Sequence, residues 1–72
     1  MNAANVQVDK LRLIQILSLA ESVYGSRKRA FAWLRKPHAR LDGHTPLSLL
    51  KTDIGGRIVE EILIQIDEGM FV

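Results

Sequence analysis

The sequence predicts an all-α fold, a small bundle of about four helices with no sheet. Three observations carry that expectation. No stretch alternates apolar and polar residues for long enough to read as a half-buried strand. Apolar residues recur instead at three- and four-residue spacing over two long segments, near the two ends of the chain. Gly25, Pro37, Gly43, Pro46, Gly55-Gly56 and Gly69 divide these segments from one another, and Ser26, Thr45 and Thr52 stand where helices would start.

The first helix is expected over residues 8–24. At about 100° per residue, Val8, Leu13, Ile16, Leu17, Leu19, Ala20, Val23 and Tyr24 cover roughly half of its wheel. Leu11 and Ile14 fall outside that arc, so the helix is apolar on more than one side. Gly25 suits the left-handed position that follows a helix. Ser26 caps a second helix, residues 27–36, whose apolar face is Ala30, Phe31, Trp33 and Leu34. Arg27, Lys28 and Arg29 occupy its first turn, the wrong end of the helix dipole for cations. Pro37 closes it, because the residue before a proline avoids the α region. Residues 37–44 read as a loop. A short helix follows over 46–51, capped by Thr45 with Pro46 in its first position and Leu47, Leu49 and Leu50 turned inward. Thr52 caps the last helix, residues 53–68, with Asp53 in the favourable first turn and Gly69 at its end. Ile54, Ile58, Val59, Ile62, Leu63 and Ile66 fill one half of that wheel, together with Gly55, which admits a neighbouring helix closely. Ile64 lies on the charged side.

The chain has 72 residues, enough for one domain, and buries only roughly 60% of its unfolded surface. It has no cysteine, hence no disulfide and no thiolate metal site. Hydrophobic residues make up 47%, too many for a disordered tail. No apolar run is long enough to span a membrane, and residues 1–5 lack the basic and apolar regions of a signal peptide. The expectation is a cytoplasmic domain with surplus apolar surface, which a homodimer, a higher oligomer or another protein would cover. Leu11 and Ile14 are the candidate oligomer-interface residues.

Charge is unevenly spread. Residues 26–40 hold Arg27, Lys28, Arg29, Arg35, Lys36 and Arg40 and no acid. Residues 53–72 hold five acids against Arg57, a balance of −4. The basic middle and the acidic end can attract each other, within the fold or between copies. The basic segment alone also suits phosphate.

The search for catalytic chemistry finds no candidate catalytic residue. His38 and His44 are six apart in the loop and read as solvent-exposed histidines; two such residues with Asp42 fall short of a fixed metal site. No serine sits in a nucleophile-elbow pattern, and no glycine-rich phosphate loop is present. Glu60 and Glu61 point to different sides of a helix and cannot serve one substrate as an acid/base pair. No enzyme activity, cofactor or metal is expected. The C-terminus is unusual, because Met70-Phe71-Val72 is apolar where termini are ordinarily polar and frayed. Either Phe71 folds back onto the domain's own core, or the tail inserts into a cavity of a partner, its carboxylate held by basic or backbone groups.

The run Tyr24-Gly25-Ser26 through Trp33-Leu34, then Pro37, Leu41, Gly43, Thr45-Pro46-Leu47, Leu49-Leu50, Gly55, Val59 and the stretch from Ile66 to Val72 resembles the toxin-binding domain of the MbcA/ParS/Xre antitoxins. The resemblance covers roughly residues 20–72. It implies an all-helical domain that binds and neutralises a RES-domain toxin, a class that consumes NAD, by blocking the route to the toxin's active site. By resemblance, the last helix and the C-terminal residues approach that site. The carry-over names Ile66, Gly69, Met70, Phe71 and Val72 as toxin-binding residues, and more loosely Trp33 and Arg57. The acidic last helix would then face basic, NAD-phosphate-binding residues of the toxin. Family antitoxins usually carry an N-terminal helix-turn-helix domain that binds the operon's promoter and helps them dimerise. The residues before Gly25 are too few for one, so residues 1–72 are expected to form a single toxin-binding-like domain without that DNA-binding role. Two other functions compete with this expectation: a small basic DNA-binding protein, and a scaffold module that oligomerises through its first and last helices.

Overall fold

The computed structural model describes residues 9–69. Within them the chain forms four α-helices and no strand: α1 (Lys10–Tyr24), α2 (Arg27–Arg35), α3 (Pro46–Leu49) and α4 (Asp53–Asp67), with a 3₁₀ turn at Ala39–Leu41 before α3. The all-α bundle is as expected, and each boundary has a local cause.

α1 starts two residues later than its apolar pattern suggests. Asp9 is extended (φ −65°, ψ 123°), and its Oδ1 accepts from the Leu11 N–H at 3.0 Å, so it is the N-cap. Val8, the expected first residue, lies outside the described residues. Gly25 (φ 79°) ends α1, its N–H donating to the Glu21 carbonyl at 2.8 Å. Ser26 Oγ accepts from the Arg29 N–H at 3.0 Å and starts α2. Lys36, expected inside α2, is its extended C-cap (φ −99°, ψ 136°), because Pro37 follows it.

Residues 37–44 are not an open loop. The His38 carbonyl accepts from both Leu41 and Gly43 at 2.9 Å, and the His38 N–H donates to the His44 carbonyl at 3.2 Å. Asp42 (φ 57°) and Gly43 (φ 82°) make the reversal, and Leu41 is buried beneath it. Thr45 Oγ1 accepts from the Ser48 N–H at 3.1 Å and starts α3, with Pro46 buried in the first turn. α3 stops at Leu49, two residues short of the expected 51, as Leu50 moves to ψ −6°. Thr52 Oγ1 then accepts from the Gly55 N–H at 2.9 Å to start α4.

The helices pack as a closed ring: α1 against α2 and α4, α2 against α3, and α3 against α4. Ile16 and Ala20 of α1, Ala30 and Leu34 of α2, Leu50, and Val59 and Leu63 of α4 form the buried core. The α4 face is narrower than its wheel suggests. Gly55, Gly56, Val59 and Leu63 are buried and Ile62 and Ile66 half-buried, but Ile54 is 74% exposed and Ile58 42%. The two glycines explain the difference. A Cβ on Gly55 would collide with the Leu49 carbonyl, and one on Gly56 with the Arg12 guanidinium. α4 therefore meets its neighbours through its glycine edge, which turns Ile54 and Ile58 away. No helix among the described residues is long and apolar enough to cross a membrane.

Candidate functional site

A groove of about 290 Å³, more enclosed than the other concavities described, is lined by Tyr24, Trp33, His38, Arg40, Leu41, Ile62 and Ile66. Four elements contribute. Tyr24 is the last residue of α1, placed by the left-handed turn at Gly25. Trp33 comes from the last turn of α2, and His38, Arg40 and Leu41 from the compact turn. Ile62 and Ile66, one turn apart, form the α4 wall.

Three rings line up along this groove. The Tyr24 and Trp33 centroids are 6.1 Å apart with a 35° tilt, and the Trp33 and His38 centroids 5.2 Å apart with a 33° tilt. His38 Nε2 lies 2.9 Å from the Trp33 carbonyl. A carbonyl only accepts, so Nε2 carries the hydrogen in this bond. The expected exposed loop histidine is thus half-buried and holds the end of α2 to the turn; His44 is exposed. Burial raises the Tyr24 hydroxyl above its ordinary pKa, because the phenolate would lose hydration in the groove.

A second, shallower surface of about 420 Å³ lies along α4, lined by Arg57, Glu60, Glu61, Ile64, Gln65 and Glu68. Arg57 Nη2 is 3.5 Å from Asp53 Oδ2, one turn back, and both side chains are well exposed. Ile66 follows Arg57 by nine residues, a half-turn of the wheel at about 100° per residue. The two therefore point in opposite directions.

Of the residues carried over by resemblance, Trp33 and Ile66 share the aromatic groove and Arg57 does not. Gly69 (φ 77°) follows α4 and donates its N–H to the Ile66 carbonyl at 3.0 Å. Met70, Phe71 and Val72 lie outside the described residues. Leu11 and Ile14 are 61% and 60% exposed, on the outer face of α1. Among the described residues no three histidine, cysteine or carboxylate side chains gather as a metal site would require. Sequence reasoning passed over Tyr24, His38 and Ile62 as site residues. Their signal was weak: Tyr24 precedes the αL glycine and His38 follows the helix-ending proline, which sets both beside the end of α2.

Residues 19–69 match the family model described as the antitoxin Xre/MbcA/ParS C-terminal toxin-binding domain. The chain belongs to this antitoxin family. The matched segment contains every residue of the aromatic groove and stops short of Leu11 and Ile14. Over 58 residues the chain is also 45% identical to "Antitoxin Xre" of Pseudomonas putida, an alignment covering 81% of this chain and 36% of that protein. The chain therefore spans about a third of the length of the relative it matches. No solved structure matches it significantly. Antitoxins of the Xre/MbcA/ParS type thus share with this chain the stretch that builds α2, the compact turn, α3 and α4.

Proposed function

We propose that the chain is a single toxin-binding domain that neutralises a RES-domain, NAD-consuming toxin in the cytoplasm, acting as a binding protein and not as an enzyme. One observation carries the reading: the family's toxin-binding segment, residues 19–69, contains the whole aromatic groove and ends at Gly69, whose N–H is bonded to Ile66 of the groove wall. Trp33 and Ile66 are the anchoring contacts. Aromatic and large apolar side chains in a concave patch supply most of the energy of a protein interface. The residues after Gly69, Met70-Phe71-Val72, enter the toxin's active site and exclude NAD. The outer face of α4, with Glu60, Glu61 and Glu68, meets basic groups that would otherwise hold the NAD phosphates. Arg57, on this same face, contacts the toxin at the rim. Leu11 and Ile14 remain available to a second copy.

The test uses the protein encoded by the adjacent reading frame. The two are co-expressed and purified, and NAD loss is followed with the full chain and with a chain lacking Met70, Phe71 and Val72. NAD consumed by the neighbour alone, spared by the full chain and consumed again with the shortened one is the expected pattern. A neighbour that consumes no NAD, or that does not associate, overturns the RES-toxin assignment. Full inhibition by the shortened chain overturns the role of the tail.

A further inference from the structure

The outer face of α2 is basic, and most of its charge is not paired with an acid of the described fold. Ala30 and Leu34 are buried against α1 and α3, while Lys28, Arg29, Ala32, Arg35 and Lys36 are exposed. Arg27 is occupied by Glu21 at 3.0 Å. Among the described residues, Lys28, Arg29, Arg35 and Lys36 make no ion pair with any acid, the acidic outer face of α4 included. Lys28 and Arg29 stand in the first turn, where the helix dipole disfavours cations. Arg35, in the last turn, suits the dipole and lies over the Phe31 ring, but none of the four is neutralised by an acid of the described fold, so like charges stand together on one face where an external anion would relieve their repulsion.

We infer that this face is a docking surface for the phosphate backbone of duplex DNA, separate from the aromatic groove and independent of the toxin reading. The chemistry of the patch selects that partner. Its centre is Ala32, with no large exposed apolar side chain. A protein partner would want an apolar anchor at that point, whereas DNA interfaces are polar and strongly positive. A single strand would want open aromatic rings for base stacking. Phe31 is half-buried, with the Arg35 guanidinium 5.8 Å over its ring, and Trp33 is engaged with Tyr24 and His38. Lys28 and Arg35 are seven residues apart, about 10.5 Å along the helix. Arg29 and Lys36 have a similar spacing. The two ends of the face thus match the phosphate rails of a B-form major groove, about 12 Å wide. The small Ala32 between them lets the helix approach closely. With no Asn, Gln, Asp or Glu on this face and its four cations set at the two ends, the contact is to phosphates and indifferent to sequence.

The test is titration of the full chain onto a fluorescent DNA duplex of arbitrary sequence at several salt concentrations. Four phosphate contacts give a slope of log affinity against log salt of about −3.6, a loss of roughly a hundredfold between 50 and 200 mM. Lys28→Gln and Arg35→Gln should each flatten the slope by about 0.9. The quadruple Gln variant of Lys28, Arg29, Arg35 and Lys36 should abolish binding while keeping the helical circular-dichroism spectrum. Lys10→Gln with Lys51→Gln, away from the face, should leave the slope unchanged. Absence of binding at low salt overturns the inference, as does wild-type binding by a folded quadruple variant. Tighter binding to single strands overturns the duplex assignment. Salt-sensitive self-association without DNA, lost in the quadruple variant, would show that the face meets the acidic α4 face of a second copy instead.

Discussion

Arg12 reaches across 41 residues of sequence to Asp53, Nη2 to Oδ1 at 2.7 Å, and its guanidinium covers Gly56. The pair joins the first turn of α1 to the first turn of α4. The Asp53 side chain is 68% exposed, so the charge attraction itself is worth little, under about 1 kcal/mol. The more consequential part is steric, because a guanidinium rests where a side chain on Gly56 would lie.

Gly55→Ala and Gly56→Ala therefore differ. At Gly55 the new methyl meets the Leu49 carbonyl, a backbone atom that moves only if α3 moves. Gly55→Ala should lose about 1–3 kcal/mol. At Gly56 the obstacle is the far end of the Arg12 side chain, which can swing aside, and alanine regains up to about 1 kcal/mol of helix propensity. Gly56→Ala should stay within about 1 kcal/mol of the wild type. Paired urea titrations distinguish the two, and equal destabilisation would contradict the packing described.

Large apolar residues on α4 should fall into two groups. Leu63 is fully buried, so Leu63→Ala should cost about 2–5 kcal/mol, enough to unfold most of so small a domain. Ile54 is 74% exposed, and Ile54→Ala should change stability by less than about 0.5 kcal/mol. Thermal melts followed at the α-helical signal provide the comparison.

Alkali should weaken the domain through Tyr24. Burial raises its pKa in the folded state, so the folded chain holds the phenolic proton more tightly than the unfolded chain does. This contribution is complete below the unfolded pKa of about 10 and fades as the pH rises through the folded value. Tyr24→Phe should remove that fraction of the decline. The check is the denaturation midpoint of both proteins from about pH 8 to pH 11; an unchanged alkaline decline in the variant would sink the assignment.

Leu11 and Ile14 should tolerate charge. Both are more than half exposed on α1, so Leu11→Glu with Ile14→Glu should leave the chain folded. If these residues join two copies, sedimentation should shift the double variant to a monomer while circular dichroism stays constant. Loss of helicity would place them in a core, against the structure described.

The caps were the most legible part of the sequence. Ser26, Thr45 and Thr52 each accept the N–H three residues on, and Gly25 ends α1, because these are local interactions between near neighbours. Asp9 was overlooked, since the apolar pattern extends back to Val8 while the cap depends on one carboxylate. Packing direction was less legible. A wheel weights Ile54 and Ile58 for hydrophobicity and Gly55 and Gly56 hardly at all, yet close approach favours the residues without side chains. The aromatic groove was least legible. Tyr24, Trp33 and His38 belong to three elements, and only the folded turn at residues 38–44 brings the histidine back onto the tryptophan. The resemblance named Trp33 and Ile66 without showing that they share a groove.

Three of the four helix pairings join neighbours along the chain, and α1 against α4 alone joins elements far apart in sequence. Its closure entropy must be met before any of its contacts form. Any opening that lifts α4 from α1 would part Ile62 and Ile66 from Tyr24 across the groove. A partner that grips both sides of the groove therefore acts as a kinetic lock. It should lengthen the lifetime of the folded chain and shield it from proteolysis, so that the free protein turns over quickly and the bound one persists.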